Sequence, residues 1–333
     1  MSEAIPIGTV LLLTTEQKEA DAAMNIFLHI LLTNVLPMAV MIGLGIIIQR
    51  AFKLDIKTLS KLNFYLFSPA IMFNLLYKTA ISVQVIGKIL LFFVLFMVAQ
   101  YLIVEAVIRL RGYQPSMKSA MRNSVLFYNS ANYGIPLNQL AFAGNEKTLA
   151  IQVLIMMTQS LIPNTYGIYN VNAHKADMRA IFRTIISMPI IYVIPLAFLL
   201  RGFEVTIPQP IATPIAYLSD AFIGTALITL GVQLGNMEWK INRSLLIDVS
   251  LSGVLRLVAG PLLAWMIVWL MGLDKLTAAA LIVSSAVPTS LSSVLLAVEF
   301  DNEAEFASQS VFVSTLLSII TVTAVIFFLR LEI

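Results

Sequence analysis

The sequence predicts an all-α integral membrane protein: ten transmembrane helices forming a 5+5 inverted repeat, with helices 4 and 9 broken and crossing. Three observations lead there. Hydrophobic residues make up 59% of the chain and charged residues 12%, with a mean hydropathy of +0.89, against about 25% charged residues in soluble domains. Apolar runs near the roughly 20 residues needed to cross a bilayer recur along the 333 residues. Pro37 and Pro189 lie 152 residues apart, and so do Pro136 and Pro288. Two copies of five spans each must enter the bilayer from opposite sides, the arrangement common in secondary transporters.

The runs, bounded by charge, Gly or Pro, place spans at 25–49, 58–77, 84–110, 116–143, 148–171, 180–200, 208–235, 244–271, 275–298 and 304–330. The second is the most polar, because it carries Lys57, Lys61, Asn63 and Asn74. Residues 1–24 read as an acidic external leader, 25–172 as the first five-helix repeat and 180–331 as the second. Alternate connections hold thirteen and seven Lys and Arg. The positive-inside rule then sets both termini outside, extracellular or periplasmic, for a multi-pass protein of the plasma (inner) membrane. With a net charge of +3, no basic patch with interleaved aromatics and no cysteine, nucleic-acid binding, thiol catalysis and disulfides are excluded.

Two stretches interrupt strongly apolar segments: 132–137, Asn-Tyr-Gly-Ile-Pro-Leu, and 284–289, Ser-Ser-Ala-Val-Pro-Thr. Irregular backbone at membrane depth survives only where protein buries it or a wet cavity solvates it. Gly134 relaxes the chain, and Pro136 removes a donor and clashes with the preceding turn, so a half-helix is expected to begin near Leu137 with free N–H groups. Asn129, Asn132 and Asn138 add amide donors and Tyr133 an aromatic face; Pro288 repeats the break beside Ser285, Val287, Thr289 and Ser290. Together these residues predict a site for a small organic anion.

Ionisable residues inside spans are costly and mark function or pairing. Asp220 and Arg256 read as a packing clamp or a site, whereas Glu105 and Asp248 lie near predicted ends and read as solvated. His29 reads as interfacial and His174 as cytoplasmic. Gln152 and Gln309, with Thr158, Asn164, Ser314, Thr315 and Ser318, offer oxygens for sodium or, equally, glue between helices. No other cofactor and no metal set is expected. Without a nucleophile–base cluster the chain reads as a carrier rather than an enzyme.

Leu36-Pro37, Gly43-x-Gly45 and Arg50, Leu66 to Ala70, the break at 132–137, Leu230 to Leu234, Arg256-Leu257 with Gly260-Pro261, Ala286 to Pro288, and Ser314 to Ser318 closely resemble the bacterial branch of the auxin efflux carrier family. The resemblance implies a fold like that of the bile acid sodium symporters. Helices 1, 2, 6 and 7 would form a scaffold, and helices 3–5 and 8–10 a transport domain moving as an elevator. It also implies crossing at Pro136 and Pro288, a carboxylate cargo such as an auxin-like acid or a dicarboxylate, and a homodimer through the scaffold. Plant members carry an acid four residues before a lysine at the start of helix 3. The matching positions here are Gln84 and Lys88, which keep the lysine without the acid and stand as coupling or support residues. The long cytoplasmic loop of many plant members is missing between spans five and six.

Overall fold

The computed structural model describes residues 21–171, 178–237 and 242–330. Among them the chain is helical, with one isolated two-residue bridge. The elements are α1 (Asp21–Phe52), α2 (56–78), α3 (Val83–Arg111), α4 (Pro115–Leu126), α5 (Gly134–Ala141), α6 (146–171), α7 (Met178–Ile186), α8 (Ile190–Gly202), α9 (Gln209–Asn236), α10 (Arg243–Leu270), α11 (Lys275–Ser285), α12 (Ser292–Glu299) and α13 (Ala304–Leu329). Five of these, α1, α3, α9, α10 and α13, are long and apolar enough to cross a membrane. Spans two and five are continuous helices, α2 and α6, but less apolar, and the other three are interrupted. Span four is α4 and α5, span six α7 and α8, and span nine α11 and α12.

Proline explains much of the irregularity. The wide π-turns Leu31–Val35, Asn63–Phe67 and Leu255–Ala259 each end two residues before a proline, Pro37, Pro69 and Pro261. A proline has no N–H to close the regular ladder and its ring crowds the preceding turn, so the helix accommodates it by widening. A further π-turn, Pro163–Gly167, lies in α6.

Side-chain packing sorts the elements into two groups. In one, α1 packs on α9, and α2 on both α8 and α9. Gly45 and Gly231 make the α1–α9 approach so close that a Cβ on Gly231 would lie 2.1 Å from the Ile42 carbonyl oxygen. Such contact between backbones is how membrane helices associate without a hydrophobic driving force. Amide and hydroxyl pairs reinforce the group: Asn63 Nδ2 donates to Thr229 Oγ1 at 2.6 Å and Asn74 Nδ2 to Ser219 Oγ at 3.1 Å. In the other group α3, α4, α6, α10, α11 and α13 surround the two interruptions. The groups meet along α2–α6 and where the start of α1 touches α5 and α13.

The leader lies outside the described residues as far as residue 20, and Asp21 to Met24 already belong to α1. His174 is outside the described residues as well, and His29 is exposed. Glu105 and Asp248 are ion-paired rather than simply solvated. Arg122 holds Glu105 at 2.7 Å, while Arg111 and Tyr113 hold one oxygen of Asp248 at 3.0 and 2.5 Å.

Candidate functional site

The two interruptions cross. Tyr128 and Thr289 form an antiparallel bridge in which Asn129 N–H donates to Pro288 O at 2.9 Å and Ser290 N–H to Phe127 O at 2.8 Å. Thr289 Oγ1 adds a bond to Ser124 O at 2.8 Å. Side chains satisfy the remaining freed carbonyls: Gln152 Nε2 donates to Ser130 O and Gln159 Nε2 to Leu126 O, each at 2.8 Å. Irregular backbone is thus tolerated here because partners replace the missing helical bonds.

The second half-helix of the first break starts at Gly134, three residues before the expected Leu137. Pro136 falls in the first turn of α5, where a missing donor costs nothing, and its ring prevents helix upstream. The expected free N–H groups are not there. Gly134 N–H donates to Asn129 O at 2.9 Å and Ile135 N–H to Ala131 O at 3.2 Å, while Ser290 supplies acceptors for Ser292 and Ser293. Both half-helix N-termini are capped from within their own breaks, and the polar side chains beside them are further donors.

Those donors line a cavity of about 440 Å³ between the two packing groups. Asn129 accepts from Asn132 N–H at 3.1 Å with its side-chain oxygen. Its Nδ2, and the whole side-chain amide of Asn132, have no hydrogen-bond partner among the described residues. Both face the cavity with Ser130 and Ser290. Across it, α2 contributes Ser60, Lys61, Asn63 and Ser68, α6 contributes Gln159 and Asn164, and α9 contributes Gln233. Apolar walls come from Phe64, Met72, Met156, Phe222 and Leu295. Lys61 is the one charged lining residue among those described, and no acid lines the cavity.

A family model described as membrane transport protein matches residues 30–326. The chain belongs to this family, that of the auxin efflux carriers. An uncharacterized transporter of Methanothermobacter thermautotrophicus is 24% identical over 295 residues, covering 86% of this chain and 95% of that protein. This chain is therefore a multi-pass membrane transporter, built on the α-helical frame described above.

Of the sequence-predicted residues, this transporter brings Asn129, Asn132 and Ser290 to the cavity. The others do different work. Tyr133 is buried under Ser318, whose Oγ donates to its hydroxyl at 2.9 Å, and Tyr133 borders a separate 170 Å³ void. Gly134 leaves room for Gln152, whose Nε2 would lie 2.4 Å from a Cβ there. Pro136, Val287 and Pro288 are buried in the crossing. Asn138 accepts from Thr148 Oγ1 at 2.8 Å, Ser285 Oγ donates to Ile282 O at 2.6 Å, and Thr289 serves the bridge.

Gln84 and Lys88 are exposed on the first turns of α3 and do not line the cavity. Asp220 and Arg256 do not pair. Asp220 is exposed on α9 beside Thr225, whereas Arg256 is wholly buried at the crossing. Among the sodium candidates, Thr158 and Thr315 bond to carbonyls of their own helices, Ser314 Oγ accepts from Thr289 N–H at 3.2 Å, and Gln309 donates to Glu305. Asn164 alone of that set reaches the cavity.

The α2 residues Ser60 and Ser68, and Gln159 and Gln233, were not anticipated. The polarity of the second span was the available signal: Lys61 and Asn63 would be costly facing lipid. Asn63, Asn164 and Arg256 each lie in a π-turn, a deformation frequent at functional sites.

Proposed function

We propose that this transporter carries a small organic anion, a carboxylate, across the plasma membrane as a secondary active carrier. One observation carries the reading: the cavity at the crossing offers unpaired amide donors and a lysine, and no acid. A carboxylate accepts hydrogen bonds only, so Asn129 and Asn132 match it, and charge-assisted bonds are the stronger kind. A cation would meet Lys61 and no counter-charge.

The ten-span inverted repeat is part of the proposal. Each break joins a longer half to a second half of 8 residues, Gly134–Ala141 and Ser292–Glu299, which supports two related copies. With both termini outside, the Lys61 end of the cavity faces the cytoplasm and this conformation is inward-facing. The division into an α1, α2, α8 and α9 group and a group around the crossing supports elevator-type movement of the second against the first.

A thermal-shift screen of purified protein against mono- and dicarboxylates, with and without sodium, tests the reading. A saturating carboxylate at a hundred times its Kd adds about 2.7 kcal/mol to stability. Asn132→Ala is expected to remove that response and abolish uptake in proteoliposomes while the protein stays folded. Stabilisation by organic cations instead of carboxylates would overturn it.

A further inference from the structure

Arg256 is fully buried, and among the described residues no carboxylate lies within ion-pairing distance of it. An isolated cation in such a place is prohibitive unless something else neutralises it. Its neighbours show what does. Nη1 donates to Val125 O and to Gln100 Oε1, each at 3.1 Å, and Nη2 donates to Ser285 O. Val125 lies in the last turn of α4 and Ser285 ends α11, so these are the first halves of the two interrupted helices. The last carbonyls of a helix lack intrahelical partners and carry about half a negative charge in the dipole description. Two such ends facing one guanidinium roughly cancel its charge.

The faces of the guanidinium are occupied too. Its carbon sits 4.6 Å from the Tyr128 ring centre and 5.7 Å from that of Phe96. Tyr128 is the bridge partner of Thr289 and a wall of the cavity. Gly260 makes room: a Cβ there would lie 3.0 Å from Nη2 and 3.3 Å from Ser285 O.

We propose that Arg256 is the positioning residue of the crossing, a single planar fork that ties the end of α4 to the end of α11 and fixes the Tyr128 wall. The planar fork is essential to this role, because a lysine ammonium is a point charge that cannot address two carbonyls, an amide and two ring faces together. Its consequence for cargo rests on the anion-carrier reading: with the clamp loosened, Asn129 and Ser290 no longer hold one cavity wall.

Hydrogen–deuterium exchange of the purified full chain tests it, comparing wild type with Arg256→Gln, Arg256→Lys and the milder Gly260→Ala, which crowds the guanidinium without removing it. Losing a buried charged hydrogen bond predicts opening roughly tenfold to a hundredfold more frequent in peptides covering 127–133 and 286–291. Peptides from the α1–α9 contact should exchange as in wild type. Succinate and phenylacetate serve as cargo probes, and any melting shift that they give wild type should shrink in all three variants. Unchanged exchange at both breaks in the folded Lys and Ala variants would overturn the proposal, as would a uniform rise in every helix. If neither acid stabilises wild type, the anion reading fails for these probes while the exchange pattern still decides the clamp.

Discussion

Gln152 separates two roles that its position allows. It is 1% exposed on α6, its Nε2 donates to Ser130 O at 2.8 Å, and its Oε1 has no hydrogen-bond partner among the described residues. As an anchor of the break its useful group is the donor; as a sodium ligand it would be the oxygen. Gln152→Glu, read at a pH high enough to ionise it, keeps the oxygen and loses the donor, and Gln152→Leu loses both. If the anchor matters, both variants orphan the Ser130 carbonyl, at a cost of about 1–3 kcal/mol. Because 1.4 kcal/mol is a factor of ten, the break opens about five- to 150-fold more often. The Glu variant adds a buried charge and should be the worse of the two. Exchange of the 129–134 peptide, together with uptake at several sodium concentrations, measures this. A Glu variant that transports normally and responds more steeply to sodium would refute the anchoring role.

Other perturbations have expected outcomes of their own. Gly231→Val drives a Cβ against the Ile42 carbonyl and the Gly45 Cα, 2.1 and 2.8 Å away; separating α1 from α9 should cost about 1–3 kcal/mol or more, read as a lower melting temperature. Lys61→Gln removes the lysine from the cavity and, at about 1–2 kcal/mol for a partly solvated charge, should weaken carboxylate affinity roughly five- to thirtyfold. Lys61→Arg should retain it, and added salt should shrink the difference. Asp55 caps α2, and the Thr58 hydroxyl with the Lys57 amide holds its carboxyl below the usual 3.8. A depressed folded value gives stability that is present above the unfolded pKa and lost as pH falls through the folded one. Fraying of the first turn of α2 should therefore appear only in strong acid, and Asp55→Asn should erase that step in exchange measured against pH.

The crossing was legible because proline and glycine act locally. Pro136 and Pro288 disfavour a regular helix running up to them, and they stand at equal spacing from Pro37 and Pro189. Asn129, Asn132 and Ser290 were within reach of the same logic, being polar residues beside a break. What sequence could not supply was the identity of partners from distant segments. Asp220 and Arg256 are the two in-span charges that looked complementary, yet Arg256 is neutralised by carbonyls of α4 and α11, which carry no mark in the sequence. Glu105 and Asp248 likewise looked solvated until Arg122 and Arg111 were brought to them. The capped starts of α5 and α12 depend on backbone carbonyls and the Ser290 hydroxyl inside the breaks, so the expectation of free N–H groups failed for the same reason. Span two is the most polar of the ten, and that polarity is what faces the cavity.

A carboxylate bound in the cavity beside the crossing would shield its wall, and the absence of cysteine from the chain permits a direct measurement. A single Ser292→Cys places a thiol on the cavity wall, and Val83→Cys places one on an exposed turn far from it. Alkylation by a small maleimide is followed with and without a carboxylate that stabilises the protein. Bound in the cavity, this carboxylate should slow labelling at position 292 in a saturable way and leave position 83 unchanged. Equal labelling at 292 with the stabilising carboxylate bound would contradict it.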